Sequence, residues 1–285
     1  MDEAKIKRKA KVPQVVLNVI IAVLIFLMLY PLAMALWNAF KLDYLFEKTK
    51  WYPTFPLVIG NAATAIKDLW RYILNTVEVG VIGGGGLVFI ASISAYTFAK
   101  SDFPGKKIMY TMVIALLMMP GILTLVPQLM IYKGLGLTKS DSMFSLILPL
   151  WTSGPIFGVF LLTSFFKGVP DEVFEAARID GANEFICFSK IAMPMCLPII
   201  GTLTIMTLVN VWNDYLWPMT VMNERLTIAS ALVKVYTTEH VSNQTLQFAG
   251  YFVASVPLII IFIAINKQNV EGLIGSSIIL YFLND

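Results

Sequence analysis

The sequence is poor in the residues from which catalytic and metal centres are built. It has one histidine, His240, and two cysteines, Cys187 and Cys196, in 285 residues. The cysteines lack metal-site spacing such as C-x2-C. They are expected to be ordinary buried or interfacial thiols, and no disulfide is expected between them. His240 has no apparent Ser and Asp partners for nucleophilic catalysis and no companion ligands, so it reads as a loop residue. Charge is also scarce. Asp, Glu, Lys and Arg make up 14% of the chain, against about 25% in soluble domains. The net charge of +3 is small, and no stretch resembles a nucleic-acid patch.

Apolar residues are what the chain does have. They account for 58% of it, and the mean hydropathy is +0.75. A soluble fold of this size could not hide that much apolar surface, whereas a bilayer is itself an apolar solvent. A membrane span needs roughly 20 mostly apolar residues. Six stretches meet that length: Val15–Trp37, Tyr72–Ala99, Ile108–Ile131, Ser142–Phe166, Leu197–Trp217 and Leu246–Asn266. Inside lipid the backbone must bond to itself, so each is expected to be a helix. Pro120, Pro127, Pro149, Pro155 and Pro257 should kink some of them. The first stretch is too long for a signal-peptide core, and Tyr30-Pro31 near its end is no cleavage site, so it reads as a retained span.

Basic residues orient the spans. Lys5, Lys7, Arg8, Lys9 and Lys11 place the leader, residues 1–14, in the cytoplasm. The same side then receives the loop Lys100–Lys107, the loop from Lys167 to about Lys190, and the tail 267–285. Those segments hold twelve Lys and Arg, against nine on the other side. The outward segments are Asn38–Arg71, Tyr132–Asp141 and about Pro218–Thr245. Trp51, Tyr52, Pro53 and Pro56 make Asn38–Arg71 an ordered loop and not a helix.

The loop after the fourth stretch carries the most information. Pro170 suits the first turn of a helix, and Asp171 and Glu172 suit its positive end. Val173, Phe174, Ala177 and Ile179 give a short amphipathic stretch. Gly181 is a natural stop, because it adopts left-handed dihedrals without a side-chain clash. A second short helix, about Ala182–Ile191, should follow. Ala176 and Ala177 have almost no bulk, so another surface could approach closely. An anchor lying on lipid headgroups would favour basic over acidic residues.

Glu175-Ala176-Ala177, three residues, Gly181, nine residues, then Ile191-Ala192-Met193-Pro194 resembles the EAA loop of binding-protein-dependent ABC importer permeases. Met193 stands where leucine is usual. The resemblance covers roughly the second to the sixth stretch. It implies an all-α membrane protein with six transmembrane helices, the type I ABC importer fold, a permease core over 72–266 and a cytoplasmic coupling helix in the loop at about 168–191. It further implies that Glu175, Ala176, Ala177, Asp180 and Gly181 meet a cytoplasmic ATPase. The implied partners are a second, homologous permease subunit, two ATPase subunits and an extracellular binding protein, in a prokaryotic plasma membrane. ATP and magnesium would sit on the ATPase, so no cofactor and no catalysis are expected in this chain.

Three further stretches resemble carbohydrate-importer permeases of the maltose and glycerol-phosphate type: Asn210-Val211-Trp212-Asn213-Asp214-Tyr215-Leu216-Trp217-Pro218, Phe103-Pro104-Gly105-Lys106 and Gly134-Leu135-Gly136-Leu137. Sugars have apolar faces and polar edges, which aromatic rings beside amides and carboxylates suit. Asn210, Trp212, Asn213, Tyr215 and the intramembrane acid Glu78 are therefore candidates for a sugar pathway. An interfacial aromatic belt is the competing reading for Tyr215 and Trp217. Glu224, Arg225, Glu239 and His240 are candidates for touching the binding protein, against a reading as solvated loop charges. Gly83–Gly86 lacks the G-K-[ST] ending of a phosphate loop and reads as a close-packing or bending point. The alternatives are an ABC permease for another small polar solute and an ion-gradient-driven secondary transporter. The second would commonly show more spans and internal repeats and would not need the EAA loop.

Overall fold

The computed structural model describes residues 3–138, 141–239 and 243–283, and among them every regular element is helical. In chain order these are α1 (Glu3–Ala39), α2 (Asp43–Thr49), α3 (Gly60–Glu78), α4 (Gly85–Lys100), α5 (Lys106–Leu116), α6 (Ile122–Gly134), α7 (Phe144–Thr152) and α8 (Pro155–Gly168). Then follow α9 (Asp171–Ile179), α10 (Glu184–Ile186), α11 (Met193–Met195), α12 (Leu197–Asn213), α13 (Leu216–Val221), α14 (Ile228–Ala231) and α15 (Gln244–Leu283). Wider π-helical turns join α3 to α4 over Val79–Gly84, α10 to α11 over Cys187–Ala192, and follow α14 over Leu232–Glu239.

Four helical stretches among the described residues are long and apolar enough to cross a membrane: Gln14–Ala39, Gly60–Lys100, Phe144–Gly168 and Gln244–Ala264. A fifth forms if Glu184–Met195 and Leu197–Asn213, bent by 79° at Cys196, count as one span. The third apolar stretch of the sequence is divided instead. α5 and α6 have 11 and 13 residues and are separated by irregular backbone around Pro120. Pro120 has no N–H to donate and pushes its predecessor away from helical dihedrals, so the break falls where chemistry puts it. Pro127, Pro149 and Pro257 lie inside their helices.

The chain forms two compact units. One holds residues up to Leu69 together with Lys234–Ser255. Its α1 is apolar and exposed from Val15 to Leu29, and then it ends in a polar knot. The buried amide of Asn38 donates to the carbonyls of Met34 and Lys50, both at 2.9 Å. The buried ammonium of Lys41 donates to the carbonyls of Thr49 at 2.7 Å and Tyr52 at 2.9 Å. A long apolar stem and three donors let a lysine serve as an internal staple where carbonyls converge. The segment Asn38–Arg71 is thus ordered, but the expectation that it holds no helix is wrong. α2 lies within it and α3 begins at Gly60. Pro53 and Pro56 exclude helix only near themselves. Asp43 in the first turn of α2 and Lys48 in its last complement the helix dipole.

The other unit holds Trp70–Val233 and the chain from Val256. Here α4 packs along α8 at close range. A Cβ on Gly158 would sit 2.7 Å from that of Ala91, and one on Gly154 would sit 2.6 Å from Leu87. Small residues permit this approach, as in membrane helix pairs generally. Gly83, Gly84 and Gly86 pack in the same way, with Gly85 on the open side: a Cβ on Gly86 would lie 2.1 Å from Nε1 of Trp151, whose indole donates to the Ile82 carbonyl at 3.2 Å. That carbonyl lies in the π-helical turn, where the i→i−4 ladder is broken and an acceptor is available to a side chain.

Candidate functional site

Two regions gather most of the residues singled out by sequence: the surface loop around α9 and the end of α12. α9 is a nine-residue helix with one buried side chain, Phe174. Its ring enters an aromatic cluster. Tyr96 of α4 lies 6.1 Å from Phe174, 6.0 Å from Phe166 of α8 and 5.4 Å from Phe188, centroid to centroid. Lys100, at the end of α4, fastens the start of α9. Its ammonium donates to the Val169 carbonyl at 2.5 Å and to Asp171 at 2.6 Å, and lies 4.9 Å above the Phe174 ring. That hydrogen bond from Lys100 is the main cause holding the Asp171 carboxyl below its usual range.

The end of α9 is a Schellman motif, with Gly181 at φ +86°. The Gly181 N–H donates to the Arg178 carbonyl at 3.0 Å and the Ala182 N–H to the Ala177 carbonyl at 2.9 Å. The stop anticipated at Gly181 is therefore where the helix ends. Asn183 then caps α10, accepting from the Ile186 N–H at 2.9 Å. Arg178 and Glu184 pair at 2.9 Å across the turn, and Tyr96 donates to Glu184 at 2.9 Å. What remains on the outer face is Glu175, Ala176 and Asp180, all exposed, with Ala177 partly so. Ile179 is 86% exposed, an unusual position for an isoleucine.

The second region is a cavity of about 430 Å³ bordered by α6, α7, α12 and α13, within the size range of small-molecule sites. Its polar lining comes from Gln128, Asn210, Asp214 and Thr227, and Trp217 supplies an aromatic wall. Trp217 is fixed by a hydrogen bond from its indole to the Ser145 carbonyl at 2.8 Å and by edge-on contact with Tyr132 at 5.1 Å. Of the residues picked from sequence for a pathway, Asn210 lines this cavity and the other four do not. Trp212 is buried in the packing, Asn213 donates to the Val209 carbonyl at 2.8 Å, and Tyr215 is 49% exposed elsewhere. Glu78 instead pairs with Arg225 at 2.7 Å. Sequence reasoning passes over Gln128 and Thr227. Gln128 has a signal, since an amide inside an apolar stretch seeks protein or water.

The Glu78–Arg225 pair joins two residues assigned from sequence to different roles. Beside it, the Asp141 carboxylate accepts from the N–H groups of Asn223 and Glu224 at 3.0 Å and of Arg225 at 3.1 Å. These donors, Arg225 first, hold the Asp141 carboxyl below its usual range. Asp141 takes a left-handed φ of 54° to reach them. The loop bearing Glu224 and Arg225 is thereby tied in place, with the Glu224 side chain exposed. The side chain of Glu239 and all of His240 lie outside the described residues. Cys187 and Cys196 are buried and free. Among the described residues no group of three or more His, Cys, Asp or Glu could hold a metal ion.

Residues 87–273 match the family described as "Binding-protein-dependent transport system inner membrane component". The chain is 31% identical over 237 residues to the polygalacturonan/rhamnogalacturonan transport system permease protein YtcP of Bacillus subtilis, covering 73% of this chain and 80% of the relative. It is 29% identical over 233 residues to the alpha-glucoside transport system permease protein AglG of Rhizobium meliloti, covering 79% of this chain and 61% of the relative. A chain in the crystal structure of a bacterial ABC transporter involved in the import of the acidic polysaccharide alginate superposes with a TM-score of 0.78. It is 19% identical, and 91% of this chain and 97% of that chain are covered. At that identity the likeness is one of fold.

Proposed function

The chain belongs to the family of binding-protein-dependent transport system inner membrane components, and from that premise we propose that it is a permease subunit of an ATP-driven sugar importer, forming half of the translocation pathway. The relatives' carbohydrate substrates support the sugar assignment, and the family description supports an external binding protein as partner. A second permease and two ATPase subunits complete the assembly in this reading. The divided stretch α5–α6 serves as one further span, which brings the count to six with both termini in the cytoplasm.

The observation that carries the proposal is the geometry of α9. It presents Glu175 and Ala176 outward while Phe174 and Lys100 bind it to α4 and, through the aromatic cluster, to α8. A short helix fixed on its inner face and bare on its outer one suits mechanical coupling to a separate ATPase. Ala176 permits close approach, and Glu175 offers a charge to a basic partner. Asn210, Asp214 and Gln128 are the groups of this subunit that would meet a sugar's hydroxyls, with Trp217 beside an apolar ring face. The Thr227 hydroxyl is buried and already bonded to the Asp214 carbonyl and Ser230.

Glu175→Lys in the assembled transporter tests the coupling role. Loss of ATPase stimulation by substrate-loaded binding protein, or detachment of the ATPase, is the expected result. An intact complex with normal transport would refute it. Labelling that places Arg178 on the outer side of the membrane would refute the arrangement altogether.

A further inference from the structure

A second recess, of about 880 Å³, lies where α4 ends and α5 begins, and nothing in the proposed transport cycle uses it. Lys106, Lys107 and Lys167 line it against a single carboxylate, Asp102. Asp102 pairs with Lys106 at 3.3 Å, which leaves Lys107 and Lys167 without a carboxylate partner among the described residues. Lys167 lies over the Tyr110 ring at 5.2 Å. Phe98 packs on Phe103 at 6.0 Å and on Tyr110 at 5.4 Å, so the recess has rigid aromatic walls. Gly105, at φ +80°, turns the chain into α5, and no side chain caps that helix start. The Lys106 amide turns back to Phe103 at 3.3 Å. The next amides, of Lys107 and Ile108, have no acceptor among the described residues and point positive partial charge out of the helix end.

The surface beyond the lysines is apolar. Ile108, Met109, Met112 and Leu116 on α5 are 64%, 52%, 62% and 48% exposed. A cationic recess with aromatic walls, opening onto an exposed apolar helix face, matches an amphiphile with an anionic head. We infer that this recess binds the phosphate head of an anionic phospholipid, whose acyl chains lie along α5. Basic pockets at the ends of membrane helices hold such headgroups by the same electrostatics. With α5 as part of a membrane span, its exposed apolar face lies against acyl chains and the recess at its start falls at headgroup depth, where lipid phosphates are the anions at hand. The inference stands apart from the sugar reading, because it concerns the lipid surroundings of the chain and not its cargo.

The test uses the assembled transporter in nanodiscs of phosphatidylcholine alone or with phosphatidylglycerol added. Bound lipid is counted by native mass spectrometry, and stability is followed by thermal unfolding. Each lysine near an anionic surface contributes about a fivefold gain in binding. Lys107→Gln with Lys167→Gln should therefore reduce phosphatidylglycerol retention by roughly thirtyfold and abolish its thermal stabilisation. Lys107→Arg with Lys167→Arg should retain both, which guards against a mere folding defect. Lys133→Gln, an exposed lysine elsewhere, should behave as the unaltered protein. Unchanged retention in the double glutamine variant would overturn the proposal. So would equal stabilisation by inorganic phosphate in phosphatidylcholine discs, which would make this a free-anion site. Protection of Lys107 and Lys167 from acetylation by the ATPase subunits, with no lipid dependence, would overturn it as well.

Discussion

Replacing Gly181 with alanine tests the local architecture of α9 with little else in play. A Cβ at Gly181 would meet nothing within 4 Å, so the substitution creates no clash. The cost is confined to the backbone. Gly181 sits at φ +86°, where an L-residue with a Cβ loses about 1–2 kcal/mol. Relief by moving to an ordinary φ would break the bonds from Gly181 to Arg178 and from Ala182 to Ala177 that close the helix. A nine-residue helix is marginal by itself, so a cost of that size should raise local opening about 5- to 30-fold. Hydrogen exchange at the Ala182 amide reads this directly, because its acceptor is the Ala177 carbonyl. Gly181→Ala should speed exchange there by that factor without lowering the melting temperature of the whole chain in proportion. Gly181→Asn should fall between, since asparagine visits left-handed dihedrals more readily. Exchange at the unaltered rate in Gly181→Ala, or equal rates for alanine and asparagine, would refute the reasoning. The helix end would then be held by the Arg178–Glu184 pair and not by the glycine turn.

Two further predictions concern the interior and the outer loop. Gly86→Ala places a Cβ 2.1 Å from Nε1 of Trp151, which must leave the Ile82 carbonyl. The expected destabilisation is about 1–3 kcal/mol by thermal unfolding, and Trp151→Leu should absorb most of it in the double variant, whereas additive effects would contradict the packing argument. The Asp141 carboxyl titrates lower in the folded protein than unfolded. Its contribution is therefore complete above the unfolded value near pH 3.9 and is lost as pH falls through the folded one. Exchange protection at the amides of Asn223, Glu224 and Arg225 should stay flat from about pH 8 to 5 and drop below about pH 4. Asp141→Asn should remove that acid step, and a step that persists would assign it to another group.

What the sequence reveals and what it hides divide along physical lines. Local backbone chemistry is legible: the stop at Gly181 and the acidic first turn at Asp171 and Glu172 each follow from residues within a few positions, and the glycines at 83–86 announce a close approach without naming its partner. Contacts between distant positions are not. Nothing local marks Arg225 as the partner of Glu78, or Asp141 as the acceptor for Asn223, because each contact depends on how helices come together. The division of α5 from α6 lies between. Pro120 marks the weak point, but a kink and a break differ only in whether neighbouring helices supply partners for the freed carbonyls.

The end of α12 carries a signal in its periodicity that adjacency conceals. Asn210, Trp212, Asn213 and Tyr215 form one group along the sequence, yet a helix turns about 100° per residue. Asn210 and Asp214 are four apart and share one face, and both line the cavity. Trp212 points away and is buried. Periodicity separates Asn210 and Asp214 from Trp212, but it does not exclude Asn213, three residues from Asn210, whose amide is taken up by the Val209 carbonyl. The same geometry relates this face to α9. Val79, at the start of the π-helical turn, also lines the cavity, and helix continues from there to Tyr96 and Lys100, the two residues that grip α9. Seventeen residues separate Val79 from Tyr96, about 25 Å of helix. Val79 on the cavity wall and the two residues that hold α9 thus lie on one run of helix. The regular ladder is interrupted in that run only at the π-helical turn with its glycines, at the cavity end, where Trp151 is hydrogen-bonded to Ile82.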